Sequence, residues 1–87
     1  MNIEIVWNNI KQHEGETFHT IKGIDYQYTI CADSLMINNL KSRRITKKMI
    51  EKALMIENPT PGKIGFEGCR GPSYVYGIIT DKRIKGF

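Results

Sequence analysis

Two groups of basic residues are the part of this sequence with chemistry to offer. The first is Lys41-Ser42-Arg43-Arg44-Ile45-Thr46-Lys47-Lys48, in which Arg43, Arg44, Lys47 and Lys48 crowd the approach to a helix that Thr46 is suited to cap. Helix starts favour acids, because their free N–H groups carry partial positive charge. Cations at such a place are unfavourable without an anion nearby, and backbone N–H groups with cationic side chains together grip phosphate. The plainer reading is a solvated helix start that aids solubility.

The second group is dispersed over Lys63, Arg70, Lys82, Arg83 and Lys85. Arg70 belongs to GCRGPS, directly before a last helix. There Gly71 permits close backbone approach, Ser73 can donate to a phosphate, and Tyr74 can stack on an unpaired base. An ordinary turn and helix cap, with Ser73 as the capping residue, accounts for the same residues. Lys82, Arg83 and Lys85 fall at a helix C-terminus, where cations are favoured in any case, and they read as structural first.

Other constellations are weaker. His13, Glu14, Glu16 and His19 contain metal-ligand types, but no HExxH spacing. Asp25 with these acids lacks a recognised spacing for metal-dependent phosphodiester chemistry. Cys31 and Cys69 have no CxxC spacing and read as reduced, packed thiols. Ser73 lacks a GxSxG context, and Gly62-Lys63-Ile64-Gly65 fits neither nucleotide-binding glycine loop. The sequence therefore predicts no catalytic residue, no metal and no cofactor.

The chain has 87 residues and a net charge of +4. Residues 1–40 hold two lysines against five acids, whereas residues 41–87 hold eleven Lys/Arg against four acids. A basic half attracts polyanions, nucleic acid first among them. The length predicts one domain, residues 1–87, and 40% hydrophobic with 25% charged residues is ordinary for a globular protein. No apolar run is long enough for a membrane span. MNIEIVWNNIK reads as no secretory signal, so the expected location is cytoplasmic. The abundance of Ile, Lys and Asn is the bias that AT-rich bacterial and phage genomes produce.

The elements that must position these residues follow from hydrophobic spacing. Ile3, Val6, Trp7 and Ile10 share one helical face, predicting a helix over 3–13 capped by Asn2, with a strand as the competing reading. Thr17–Lys22 reads as a strand. Ile24, Tyr26, Tyr28 and Ile30 alternate with polar residues and predict the next strand; Leu35–Asn38 returns after a turn at Ala32-Asp33-Ser34. Met49, Ile50, Ala53, Leu54 and Ile56 form a stripe on a second helix that ends before Pro59. Residues 58–72 read as a long loop, and Val75, Ile78 and Ile79 as the inner face of a last helix that Ile84 extends.

The expected fold is a small α+β domain, a three-stranded antiparallel sheet packed with two to three helices, in the order α-β-β-β-α-α. Its predicted core is Val6, Trp7, Ile10, Tyr26, Tyr28, Ile30, Ile50, Leu54, Val75, Ile78 and Ile79. A loop over 58–72 is too long for a helix-turn-helix, whose turn takes three or four residues. The element order is similar to that of double-stranded RNA-binding domains, but their signature is absent, as are the aromatic motifs of RNA-recognition domains.

The leading expectation is sequence-tolerant binding of nucleic acid, DNA ahead of RNA. Arg43, Arg44, Lys47, Lys48, Lys63 and Arg70 would contact phosphates, with Ser73 and Tyr74 beside them. The alternative is an interaction module that docks on an acidic protein, steered by the same charge and using 58–72 for recognition. A homodimerising domain is the third reading.

Overall fold

A computed structural model of the chain describes residues 2–38, 44–66 and 71–85 and shows an α+β fold. Helix α1 spans Ile3–Gln12, with the Asn2 side chain accepting the Glu4 N–H at 2.8 Å. Val6, Trp7 and Ile10 are its buried stripe, as the spacing predicts, and the strand alternative is set aside.

The strands differ from expectation in their partners. The segment Thr17–Lys22 contributes only β1 (Phe18–His19), which pairs antiparallel with β2 (Asp25–Tyr26). The alternating stretch divides at Gln27, and its second half is β3 (Tyr28–Cys31). β3 pairs with β4 (Ser34–Ile37), and β4 with β5 (Arg44–Thr46), in the order β3-β4-β5. A three-stranded antiparallel sheet is present, but its third strand comes from the basic stretch, and β1-β2 is a separate ribbon. Alternation specifies which face each side chain takes and leaves the pairing partner open. Tyr26 and Tyr28 are both buried although their strands belong to different sheets. β5 is short, and Ile45, fully buried between Arg44 and Thr46, is its only apolar residue, too little for a periodic signal.

The second half is more helical than predicted. Helix α2 spans Lys47–Leu54 and is capped by Thr46, whose hydroxyl accepts the Met49 N–H at 3.1 Å. Residues 58–72 are not a continuous loop, because α3 (Pro61–Phe66) lies within them and buries Ile64. Proline at a first helical position starts a helix as readily as it stops one; here Thr60 accepts the Lys63 N–H through its hydroxyl and the Ile64 N–H through its carbonyl. Helix α4 spans Pro72–Ile79 and its N-cap is Gly71, at φ 58°, so Ser73 falls inside the helix and does not cap it. Among the described residues the helix before α4 is thus α3, not α2, so the length of 58–72 no longer argues against a helix-turn-helix. A short α5 (Lys82–Lys85) follows a break at Thr80-Asp81 and buries Ile84.

One core joins these elements. Of the predicted core, Ile30 and Leu54 are half-buried at its edge and the rest are buried; Phe18, Leu35, Ile37, Ile45, Ala53, Ile64 and Ile84 join it. α4 packs on β1, α2 and α3, while α1 packs on α2 and α5. Two buried tyrosines spend their hydroxyls across this packing. Tyr26 donates to the Tyr74 carbonyl at 2.7 Å, and Tyr28 to the Ile10 carbonyl.

Candidate nucleic-acid interface

The β5–α2 junction gathers most of the first basic group. Arg44 is exposed on β5, opposite Met36. Lys47 opens α2, and its backbone N–H donates to the Asp33 carbonyl at 2.8 Å. The Lys47 ammonium meets Glu4 Oε1 at 2.9 Å, a hydrogen bond that raises its pKa. Lys48 is exposed in the same cleft, of about 400 Å³, whose walls also include Glu4, Asp33 and Glu51. Arg43 and Arg70 lie outside the described residues, as does Cys69.

This geometry alters the electrostatic expectation. The acids of the N-terminal half, Glu4 on α1 and Asp33 in the β3–β4 turn, fold against the cations of the C-terminal half. Lys47 is therefore compensated internally. Lys52, which sequence reasoning left out, is exposed one turn along α2 from Lys48. The signal that would have found it is the i, i+4 spacing of the two lysines. Arg44, Lys48 and Lys52 make no ion pair among the described residues.

The remaining predicted residues are placed elsewhere. Lys63 donates its ammonium to the carbonyls of Glu57 and Asn58, at 3.3 and 3.2 Å, and so closes the turn after α2. Ser73 and Tyr74 border a second groove, formed with the 20–24 turn and Pro61. The Tyr74 ring stands edge-on to Tyr26, with centroids 4.8 Å apart, so much of its surface is used in packing. Arg83 is held by Asp81 and Glu16 at 2.9 and 3.1 Å, donates to the Thr17 carbonyl and lies 4.0 Å over the Phe18 ring. It is a structural cation, in line with its reading from sequence.

The metal-ligand types are dispersed. His13 pairs with Glu16 and His19 with Asp25, each at 2.7 Å, while Glu14 accepts the Ile30 N–H at 2.7 Å on the outer edge of β3. No group of three or more His, Cys, Asp or Glu suited to a metal ion occurs among the described residues, and none of their helices is long and apolar enough to cross a membrane. Comparison with protein-family models, with curated proteins and with solved structures gives no match for this chain.

Proposed function

We propose that this protein binds nucleic acid with little sequence preference, duplex DNA ahead of RNA, through the outer side of β5 and α2. The observation that carries the reading is the contrast among the cations. Lys47, Lys63 and Arg83 are spent on protein partners, whereas Arg44, Lys48 and Lys52 are exposed without an acid partner among the described residues. Lysines on successive helical turns suit successive phosphate contacts, which position a protein on a strand without reading bases. Arg43, next to Arg44 in sequence, belongs to the same proposal. The reading contains no catalytic step.

Fluorescence anisotropy with labelled duplex DNA, single-stranded DNA and duplex RNA over a salt series tests it. The expected affinity is in the weak range typical of non-specific binding, with a Kd of roughly 10⁻⁴–10⁻⁶ M that weakens log-linearly with salt. Replacing Arg44, Lys48 and Lys52 together by alanine lowers the salt slope by about three contacts. Absence of binding at ~50 mM salt, where phosphate contacts are strong, overturns the reading.

A further inference from the structure

The second groove has properties that phosphate binding does not use. Residues 20–24 form a turn closed by three hydrogen bonds around Thr20. The Gly23 N–H donates to its carbonyl at 2.9 Å, the Ile24 N–H to its hydroxyl at 3.1 Å, and its own N–H to the Ile24 carbonyl at 3.0 Å. Gly23, at φ 83°, supplies the backbone geometry that this closure needs. The turn holds Ile21 and Ile24 out towards solvent, at 69% and 49% exposure. Two of the four large exposed apolar residues of the described chain thus share one rigid turn. They border a groove of about 360 Å³ together with Pro61 of α3 and Tyr74 of α4.

The polar groups of this groove have one sign. Lys22 sits between the isoleucines, Ser73 faces the same space, and no carboxylate of the described residues lines it. The first turn of α4 contains no acid, and its Gly71 cap offers no side-chain acceptor, so neither the cap nor the first turn compensates the partial positive charge of that helix end.

We propose that this groove docks a segment of a partner protein in which an apolar side chain is flanked by aspartate or glutamate. The apolar side chain would lie against Ile21, Ile24, Pro61 and Tyr74, and the carboxylate would meet Lys22 and Ser73. Because the turn is already closed, binding orders little of this chain, which favours affinity from a small contact. A second copy is a poorer occupant, since a twofold contact sets the lysine-bearing patch, acid-free among the described residues, against itself. Nucleic acid is poorer too, with one cation among apolar neighbours. The groove shares no residue with the β5–α2 surface, and the proposal does not rest on that reading.

The test selects short random peptides displayed on phage against the intact protein, then titrates the enriched peptides while amide shifts are followed by NMR. The expected result is enrichment of Leu, Ile or Phe beside Asp or Glu, with shifts centred on residues 20–24, 61 and 73–74. Ile21→Ser and Lys22→Glu each weaken binding roughly tenfold. Ile5→Ser, at an equally exposed site on α1, leaves it unchanged, and all three variants keep the wild-type circular dichroism. Lys22→Glu also comes to prefer peptides in which the acids are exchanged for lysine. No enrichment, enrichment without acids, or indifference to Ile21→Ser and Lys22→Glu overturns the proposal. Self-association of the protein that Ile21→Ser abolishes overturns it as well, by giving the patch to a second copy.

Discussion

Gly77 shows how a single residue sets the spacing of this fold. A Cβ there would lie 2.5 Å from the Tyr26 hydroxyl and 2.7 Å from the His19 carbonyl oxygen. Neither neighbour yields easily, because the hydroxyl is bonded to Tyr74 and the carbonyl belongs to β1. Gly77→Ala gains helix propensity of about 1 kcal/mol. Overpacking of about 1–3 kcal/mol, at its upper end for a contact this short, outweighs that gain. A lower urea midpoint at unchanged m-value is the expected result. Read as sequence, Gly77 is only a weak point in a helix; the close approach of α4 to the β1-β2 ribbon is what makes it necessary. The same packing controls the buried tyrosines. Burial pushes the hydroxyls of Tyr26 and Tyr28 well above their ordinary pKa of about 10, so the fold favours their neutral forms. That stability is fully present below about pH 10 and is lost as pH rises further. Tyrosinate absorbance and circular dichroism followed together against pH should show these two tyrosines ionising in step with unfolding.

At the scale of elements, two of the three expected N-caps were readable, the exception being Ser73, which lies inside α4. Asn2 and Thr46 both cap as their residue types suggest, and Thr46→Ala should cost about 1 kcal/mol by chemical denaturation. Strand β5 and helix α3 were unreadable for a common reason. Each is short, and the described residue that it buries in the core is one isoleucine, Ile45 or Ile64; so short a segment creates no period. The link from α5 to the segment before β1 was hidden as well. Arg83 joins its near neighbour Asp81 to Glu16 and Phe18, which lie far away in the chain and which only folding brings to it. Hydrogen bonding to Arg83 holds the Asp81 carboxyl below its ordinary value of 3.8. Hydrogen bonding to His13, and next to Arg83, holds Glu16 below 4.5. Depressed carboxyls contribute stability that is complete above their unfolded pKa values and lost as pH falls through the folded ones. Denaturation midpoints should therefore drop between about pH 5 and pH 3. Arg83→Met should lower the midpoint at neutral pH and flatten this acid limb, and a drop of unchanged size in the variant would show that the network does not drive it.

For the whole molecule, the division of charge in the sequence is not the division of charge in space. The acidic first half and basic second half are folded against each other where Glu4 meets Lys47 and where Glu16 meets Arg83. Glu4→Gln should release Lys47 for solvent anions. If phosphate binding takes place at the β5–α2 surface, that variant binds duplex DNA more tightly and with a salt slope steeper by about one contact. Its stability should change little, because the Glu4 carboxylate is largely exposed and water screens the pair. Anisotropy and urea denaturation measured on the same variant check both statements.

The sequence alone determined the class of fold, the two capped helices with their buried stripes, and the inward faces of most core residues. These depend on local spacing, and local spacing is written in the order of residues. Tertiary structure decided which strands pair, that 58–72 contains a helix, and which cations are taken up by partners. Each of these depends on groups distant in the chain: β5 on its pairing with β4, α3 on the core that receives Ile64, and Lys47 on an acid that α1 brings to it. It also decided that Ile24, part of the clearest alternating stretch, stands in solvent. That alternation specifies a face, and only the closed turn at 20–24 determines that at Ile24 this face stays about half exposed, at 49%.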